Sequence, residues 1–380
     1  MPEACDECLR RAWLLGDLSG HIETAVADSP GRRARELLAL DDAKLAEMLA
    51  GRGAGEALAR SAQRAPAELR ERVGAAGLWA CCRHRSGFPA ALRDDAQAPA
   101  ALFGRGDAGH LARLAGAEDA VTLVGARRPS AYGRQLAESL GRELATAGLV
   151  VVSGMAMGID SRAHSGALTA GAVTVAVLGS GADVPSPSRL CRLYQSIVET
   201  GLVLSELPPG SQARRWTFPA RNRIMAALSA MTVVVEARQR SGSLITATMA
   251  SDLGREVGAV PGRVGSSTAA GANSLLRDGA HVVRGAQDVL DSLLGSGVIA
   301  ARVDLGTNRG PNLDPGLAGV LELVEAGAVV SDEIATQGDL GAGEVAAAIA
   351  RLELLGYLRC DSAGRIERTP LAAPSEPAAE

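Results

Sequence analysis

Four short segments of the chain place glycine beside residues that bind anions. They are Gly125-Ala-Arg127-Arg-Pro-Ser130, Ser153-Gly154-Met-Ala-Met-Gly-Ile-Asp160, Gly179-Ser180-Gly181 and Arg238-Gln-Arg240-Ser241-Gly242-Ser243. Glycine lets backbone N–H groups approach a phosphate closely, helix N-termini favour anions, and arginine completes the charge balance. Taken singly, each segment has a simpler explanation as a turn or a helix cap. Taken together, the four segments predict phosphate binding.

A fifth segment, Arg214-Arg215-Trp216-Thr-Phe218-Pro219-Ala-Arg221-Asn222-Arg223, interleaves aromatic and basic residues. This mixture is typical of surfaces that stack bases while neutralising phosphates. Pro219 favours the first position of a helix, which would put Arg221 in a first turn where the helix dipole disfavours a cation. A bound anion would resolve that conflict. The alternative is that Trp216 and Phe218 are core residues with solvated arginines around them.

Short β-branched runs precede most of these segments and alternate with helical patterns. The runs cover residues 121–124, 149–152, 173–178, 231–235 and 256–260. Near-continuous apolar runs of this kind predict parallel strands covered on both faces. Right-handed crossovers place the loop after each such strand at the same edge of the sheet. The sequence therefore predicts an α/β protein with an extended Rossmann-like, doubly wound parallel sheet, whose anion-binding loops converge.

The 380 residues are too many for one ordinary domain. Composition and periodicity predict a helical domain at 1–75, the Rossmann-like domain at 76–295, a linker at 296–316, a winged-helix domain at 317–368 and a disordered tail at 369–380. The last helix of the winged helix, near residues 344–351, offers few groups for reading bases. We therefore expect that domain to serve protein interaction or regulation.

The charge balance gives no global attraction for nucleic acid. The formal net charge is -4, so DNA binding would require a local basic face. Lys44 is the only lysine, and arginine, whose fork of donors grips phosphate, supplies the other cations. Six scattered cysteines do not form a disulfide framework and indicate a reducing cytoplasm. Neither a signal peptide nor an apolar run of membrane-spanning length is evident, so we expect a cytoplasmic protein without membrane contact.

Two cysteine-containing pairs raise the possibility of a metal site. Cys5-x-x-Cys8 and Cys82-Arg-His84 could complete a tetrahedral zinc site that joins the N-terminus to the start of the α/β region. Coincidental buried thiols are the simpler explanation. The sequence leaves the choice open, and we assign neither a metal nor a cofactor from it.

The order and spacing of seven motifs closely resemble the DNA-processing protein A family, known as DprA or Smf. The motifs are Val124-Gly-Ala-Arg127, Ser153-Gly-Met-Ala-Met-Gly-Ile-Asp160, Leu178-Gly-Ser-Gly181, Ser205-Glu-Leu-Pro-Pro-Gly210, Phe218-Pro-Ala-Arg-Asn-Arg223, Ser241-Gly-Ser-Leu-Ile-Thr-Ala247 and Val260-Pro-Gly262. The resemblance implies a dimeric single-strand-DNA-binding protein that protects incoming DNA and loads RecA recombinase in natural transformation and competence. It also implies that the N-terminal domain is similar to a sterile-alpha-motif domain.

The loop chemistry and the resemblance together give the candidate DNA-binding residues. They are Arg127, Ser153, Gly154, Gly179, Ser180, Gly181, Arg215, Phe218, Arg221, Asn222, Arg223, Arg240, Ser241, Gly242 and Ser243. Arg215 and Arg240 stand where the family usually has lysine, which keeps the charge. Pro185-Ser186-Pro187 replaces the usual Tyr-Pro, so we assign no ligand role to that loop.

The rival interpretation is a Rossmann-type nucleotide-binding or nucleoside-phosphate-processing enzyme. Such enzymes resemble Pro-Gly-Gly-x-Gly-Thr-x-x-Glu where this chain has Ser241-Gly-Ser-Leu, and residues 239–251 contain no carboxylate. A P-loop would need Gly-Lys-Ser/Thr, which Lys44 does not form. Gly104-Arg-Gly106-Asp-Ala-Gly109 matches a dinucleotide pattern but is not embedded in a βαβ unit with the acidic residue expected about 20 positions later. We therefore expect no catalytic residues and no enzymatic activity.

Overall fold

A nine-stranded sheet forms the centre of the larger part of the molecule. The computed structural model describes residues 3–27, 30–93, 95, 97–114, 116–295, 313–355, 357–360 and 364–368. The strands of this sheet are β1 (Trp79–Cys82), β2 (Ala101–Gly106), β3 (Ala120–Val124), β4 (Val150–Ser153), β5 (Thr174–Val177), β6 (Leu202–Ser205), β7 (Met231–Val234), β8 (Glu256–Ala259) and β9 (His281–Val282). Their spatial order is β1-β2-β6-β5-β4-β3-β7-β8-β9.

The order of the strands reverses between β3 and β7. From β3 the chain moves outward through β4, β5 and β6, and it then returns to the other side of β3 with β7, β8 and β9. All neighbours from β6 to β9 pair in parallel, whereas β1 and β2 add an antiparallel edge. The predicted doubly wound α/β class is confirmed. Because the strand order reverses there, the carboxyl ends of β3 and β7 flank the crevice in which such sheets bind ligands.

Helices precede the sheet, connect its strands and make up most of the C-terminal region. In the N-terminal region they are α1 (Asp6–Asp17), α2 (Ser19–Ala25), α3 (Pro30–Leu38), α4 (Asp42–Ala50), α5 (Ala54–Gln63) and α6 (Pro66–Ala75). Around the sheet they are α7 (Ala90–Arg93), α8 (Ala131–Thr146), α9 (Ile159–Thr169), α10 (Cys191–Thr200), α11 (Thr217–Leu228), α12 (Gly242–Asp252), α13 (Ala270–Arg277) and α14 (Ala286–Leu294). Within the described ranges, no helix has the length and apolar character needed to cross a membrane.

The five strands predicted from apolar runs are present, and four further strands were not predicted. β1 and β2 were missed because neither contains a β-branched residue, and the second half of β2 contains two glycines. β6 has a single β-branched residue, and β9 has two exposed residues. Gly104 of β2 allows close packing, since an added Cβ would lie 2.1 Å from the Trp79 ring. The first two glycines of the dinucleotide-like pattern therefore lie in a strand that pairs with β1 and β6, not in a loop at the start of a helix.

The N-terminal helices pack on the α/β region through a shared apolar cluster. Leu14, Leu18 and Ile22 lie in this cluster together with Leu207 and Trp216. Trp216 is 1% exposed, and its Nε1 donates to the backbone oxygen of Ser19 at 3.1 Å. The prediction that Trp216 stacks a base is therefore wrong for this structure, because the ring is used to dock the helices.

The chain falls into two compact units. The first comprises residues 1–129 and 137–299, and the second comprises residues 130–136 and 300–380. The second unit contains α15 (Pro315–Glu325), α16 (Ser331–Gly338), α17 (Ala342–Leu354) and the antiparallel pair β10 (Leu358–Cys360) and β11 (Ile366–Arg368). This is the element order of a winged helix. The predicted linker lies largely outside the described residues, and the predicted tail does so entirely; the end of the predicted linker is already helical at Pro315.

Helix α9 contains a glycine for a packing reason. A Cβ added at Gly166 would lie 2.0 Å from the backbone oxygen of Glu138 in α8, and a Cβ at Gly141 would lie 2.2 Å from that of Ala163. Backbone atoms cannot rotate away as a side chain can. The two helices therefore approach each other at a distance that glycine alone permits.

Gly166→Ala should lower the free energy of unfolding by roughly 1–3 kcal/mol through overpacking, although alanine is the better helix former. Gly74→Ala, at an exposed position of α6 where an added Cβ meets nothing within 4 Å, should instead raise it by roughly 0.4–1 kcal/mol. Urea unfolding of both variants measures the two effects. An equal gain in both would show that the helices separate at little cost.

Candidate nucleic-acid interface

Three of the four glycine-containing loops are bonded to one another at the point where the strand order reverses. The N–H of Ala126, after β3, donates to the backbone oxygen of Glu236, after β7, at 2.7 Å. The backbone oxygen of Ala126 accepts from the N–H of Ile159, after β4, at 3.2 Å. Gly158 makes this approach possible, since its φ is +96° and an added Cβ would lie 2.3 Å from the Ala126 oxygen. The predicted convergence thus holds for the loops after β3, β4 and β7.

A cleft of about 230 Å³ opens where these loops meet the start of α11. Its lining combines backbone-exposing, polar, basic and aromatic residues, contributed by all three loops, by α11 and by α12. The predicted residues among them are Arg127, Phe218, Arg221, Asn222, Ser241, Gly242 and Ser243. Six of these seven are polar or glycine. The cleft can therefore offer hydrogen-bond donors beside one aromatic ring.

Arg127 and Phe218 lie in contact with each other on one side of the cleft. Phe218 is the second residue of α11 and is half-buried, whereas Arg127 is exposed. The centre of the Arg127 guanidinium lies 5.2 Å from the centroid of the Phe218 ring, within the range of a cation–π contact. The ring packs closely against Gly179, where an added Cβ would be 3.4 Å from Phe218 Cδ1. An aromatic face and a positive charge are thus presented together.

The start of α12 supplies hydrogen-bond donors on another side of the cleft. The Ser241 side chain caps the helix by accepting from the N–H of Ser243, and the two hydroxyls lie 2.8 Å apart. Gly242 is exposed, and an added Cβ there would meet nothing within 4 Å. Asn222 Nδ2 lies 3.4 Å from the Gly242 oxygen and fixes α12 against α11. A helix N-terminus that faces a cleft favours an anion.

Arg221 lies beneath the cleft and is bonded to the backbone. It is 6% exposed, and its Nη1 donates to the backbone oxygens of Gly154, at 2.6 Å, and of Val177. The helix begins at Thr217, two residues before Pro219, so Arg221 is its fifth residue and not part of a first turn. We expected a bound anion to stabilise the positive charge of Arg221. The carbonyl oxygens of Gly154 and Val177 stabilise it instead. Gly154 is required there because an added Cβ would lie 1.9 Å from Nη1.

The buried charges around Arg221 balance one another. Asp160 Oδ2 lies 3.9 Å from Arg221 Nη2 and accepts from the N–H of Ala156 at 3.3 Å. Burial lowers the pKa of Arg221 to about 10, an effect that Asp160 opposes. Burial likewise raises the pKa of Asp160, which Arg221 opposes, and burial lowers the pKa of His164 to about 3, with Arg221 acting in the same direction. At neutral pH Arg221 is therefore charged and His164 neutral.

Several predicted site residues are turned away from the cleft. Ser153 is fully buried and donates to the backbone oxygen of Leu123 at 2.6 Å. Ser180 is also fully buried and donates to the oxygen of Val184, while the N–H of Gly181 donates to the oxygen of Ser211 at 2.8 Å. Gly179 contacts the cleft only by packing against Phe218. The structure thus corrects the prediction that the loop after β5 forms part of an anion site, because the Ser180 hydroxyl and the Gly181 N–H are already bonded and none of the three residues lines the cleft.

The arginines of the fifth segment divide into structural and exposed residues. Arg223 is 3% exposed and bonded to the buried carboxylate of Glu206, which corrects its assignment as a phosphate ligand. Arg214 Nη1 pairs with Glu23 of α2 at 2.7 Å. Arg215 and Arg240 are exposed and flank the cleft in sequence without lining it.

Two lining residues of α12 and a counter-charge were not predicted. Ile245 and Thr246 contribute to the cleft one turn after Gly242, so the helical repeat from an identified loop residue could have indicated them. The counter-charge is Asp160, which the sequence offers only as the end of the loop after β4 and which pairs with Arg221. Among the described residues that line the cleft, Asp160 is the one carboxylate, and it is 5% exposed.

The sheet order and the cleft define a doubly wound α/β protein with an arginine- and aromatic-lined cleft at its topological switch point. Residues 79–294, more than half of the chain, match the model of the family described as DNA recombination-mediator protein A. The chain belongs to this family, which confirms the resemblance found in the motifs.

Individual relatives agree with the family assignment. The chain is 40% identical over 254 residues to a putative DNA processing protein DprA of Mycobacterium tuberculosis, an alignment that covers 66% of this chain and 64% of that protein. It is 45% identical over 170 residues to DprA of Streptococcus pneumoniae, covering 45% of this chain and 60% of the relative. The X-ray structure of S. pneumoniae DprA superposes with a TM-score of 0.60 at 32% identity, covering 76% of this chain and 98% of that one. The chain thus spans about two thirds or less of these curated relatives.

Arg221→Met should lower the free energy of unfolding by roughly 3–5 kcal/mol, because it leaves the buried Asp160 carboxylate without its cation. Asp160→Asn in the same chain should recover part of the loss, so the double variant should be more stable than the sum of the single effects predicts.

The deficit of Arg221→Met should also depend on pH. Without Arg221 the pKa of Asp160 lies still further above its unfolded value, so stability is lost as pH rises through that folded pKa. The deficit should be smallest near pH ~4, where the unfolded carboxyl titrates, and grow toward neutrality. Chemical unfolding of all four chains at several pH values tests this, and strict additivity at neutral pH would contradict a coupled charge pair.

Proposed function

We propose that this protein binds single-stranded DNA in the cleft between the loops after β3 and β7 and the start of α11. The observation that carries the proposal is the exposed Arg127 guanidinium held 5.2 Å from the half-buried ring of Phe218. Phe218 would stack a base, and Arg127 would neutralise the adjacent phosphate. The Gly242 N–H and the hydroxyls of Ser241 and Ser243 at the start of α12 would receive a second phosphate. Arg215 and Arg240 would extend the basic track on either side.

A single strand suits this cleft better than a duplex. In a duplex the faces of the bases are stacked on one another, so Phe218 could not reach one without unstacking it. In a single strand every base has an accessible π-face, which makes stacking tolerant of sequence. Neutralisation of phosphates is likewise independent of sequence. We therefore expect binding with little sequence preference.

The family description supports a wider role for this binding. We propose that the protein protects single-stranded DNA and passes it to RecA recombinase, acting as a homodimer in the cytoplasm during natural transformation. Family membership as a DNA recombination mediator supports this part. We further propose that the cleft is not catalytic, since Asp160 is buried, bonded to the Ala156 N–H and paired with Arg221.

The proposed contacts should fail in different ways when they are removed. Arg127→Ala, Arg215→Ala and Arg240→Ala should each make the dependence of log affinity on log salt shallower by about 0.7, because each removes one neutralised phosphate. Phe218→Ala should cost roughly 1–3 kcal/mol of stacking with little change in that slope. Oligo-dT affinity across a salt series measures both quantities.

Matched variants separate a DNA site from a folding defect. Arg60→Ala, at an exposed arginine of α5, should leave the slope unchanged. Phe218→Leu keeps an apolar side chain against Gly179 but removes the aromatic face, so it should lose affinity while retaining the thermal melting of the parent. Normal binding by folded Phe218→Leu and Phe218→Ala would remove the stacking role. Normal binding by Arg127→Ala and Arg215→Ala as well would contradict the placement of DNA at this edge.

The winged helix should contribute little to single-strand affinity. Residues 313–368 contain ten acidic residues and four arginines, which is the opposite of an electrostatic footprint for DNA. Arg351 of α17 lies 4.0 Å from the Asp314 carboxylate, so even this arginine is partly compensated. Deletion from residue 310 onward, and Arg351→Glu in the full chain, should leave oligo-dT affinity nearly unchanged. A loss as large as that of Arg127→Ala would place a binding surface in this unit.

A further inference from the structure

Four metal-binding side chains meet where α1 approaches the edge of the sheet. Cys5 and Cys8 lie at the start of α1, Cys82 is the last residue of β1, and His84 follows two residues later. The three Sγ atoms and a ring nitrogen of His84 all lie within 4.8 Å of one another. Cys5 and Cys82 are 77 positions apart in the chain, so tertiary structure brings the two pairs together.

The local structure aims these four side chains at one point. Cys5 is the N-cap of α1 and Cys8 its third residue, which puts both thiols at the same end of the helix. After β1 the N–H of Arg85 donates to the oxygen of Cys82 at 3.0 Å, and this turn folds His84 back toward the helix. His84 Nδ1 lies 3.3 Å from Cys5 Sγ and 3.4 Å from Cys8 Sγ.

The two sulfur–nitrogen separations are close to those of a tetrahedral zinc site. Bonds of about 2.3 Å to sulfur and 2.0–2.1 Å to nitrogen place two sulfurs about 3.8 Å apart, and a sulfur and a nitrogen about 3.6 Å apart. The Cys-x-x-Cys spacing is also that of structural zinc sites. In addition, the backbone N–H of Cys5 lies 3.3 Å from Cys82 Sγ, the contact that stabilises a metal-bound thiolate.

We propose that Cys5, Cys8, Cys82 and His84 bind one structural zinc ion that fastens α1 to the end of β1. Three thiolates and one imidazole in a tetrahedral arrangement select zinc over harder metals. Four protein ligands complete the coordination, so the ion holds the fold and has no open position for a substrate.

The remaining three cysteines lie away from this cluster and serve as a comparison. Cys81, the neighbour of Cys82 in β1, points to the opposite face of the sheet and lies in a different apolar cluster. Cys191 is exposed, and Cys360 belongs to the second unit. A disulfide would join two of the three clustered cysteines and leave the third, and it would give His84 no role. Zinc accounts for all four residues.

The test is the metal content of the untagged full-length protein, purified under reducing conditions without chelators. Elemental analysis should find one zinc per chain in the parent, in Cys191→Ser and in His21→Ala, which change an exposed cysteine and an exposed histidine elsewhere. Cys5→Ser/Cys8→Ser should lose the zinc. His84→Ala, a change at an exposed position that leaves the three thiols in place, should weaken zinc binding by more than about tenfold, since even loss of an outer-shell partner costs that much.

One further measurement uses the parent protein alone, and a second compares the parent with the cysteine double variant. Cobalt added to chelator-treated parent protein should give the visible spectrum of tetrahedral thiolate coordination, and chelation should lower the Tm of the parent but not that of Cys5→Ser/Cys8→Ser. Zinc content in the parent no higher than in that double variant would overturn the proposal. A reduced-buffer intact mass two hydrogens below the expected value, showing a resistant disulfide, would overturn it as well.

Discussion

The candidate site depends on one buried guanidinium. Parallel strands β4 and β5 end side by side, and the carbonyl oxygens of Val177 and Gly154 at those ends point toward α11. Arg221 satisfies both oxygens and carries its charge next to Asp160, which is also buried. A neutral side chain could fill the space but could not satisfy two carbonyls and a carboxylate together. The start of α11, and with it Phe218 and Asn222, is therefore held in place by a residue whose sequence context suggests a DNA contact.

The N-terminal helices hold the same segment from its other side. Trp216 inserts into their apolar cluster, and Glu23 of α2 accepts from Arg214 Nη1 and from the N–H of Arg215. The hydrogen bond from Arg214 is the main reason why the pKa of Glu23 lies below its usual range. The proposed zinc ion would fasten these helices to β1 as well. The helical region thus supports the proposed interface indirectly. It anchors the chain from Arg214 to Trp216, and Phe218 follows two residues later.

The sequence predicts a feature of this structure when neighbouring residues determine it, and fails when residues far apart in the chain determine it. Strands such as β3 and β4 were predicted because they lie in short runs rich in apolar, β-branched residues, which is a local property. β6 has one β-branched residue, and β2 has none and contains two glycines, so both lack this signal. The role of Arg221 could not be predicted, because the carbonyls that it satisfies belong to residues 44 and 67 positions away. The zinc ligands are visible as two pairs, but only the fold shows that the pairs meet.

The arginines of the Arg214–Arg223 stretch also show why residue type alone does not assign function. Arg221 and Arg223 are buried and paired with the carboxylates of Asp160 and Glu206, so their charges are not available to a phosphate at the surface. Arg215 faces solvent, as do Arg127 and Arg240 on the neighbouring loops. In a chain of net charge -4, attraction for a phosphate must come from arginines of this second kind. Whether an arginine is buried against a carboxylate therefore separates two groups of residues. Those with a buried partner hold the proposed interface together, and the exposed ones would bind a DNA strand on it.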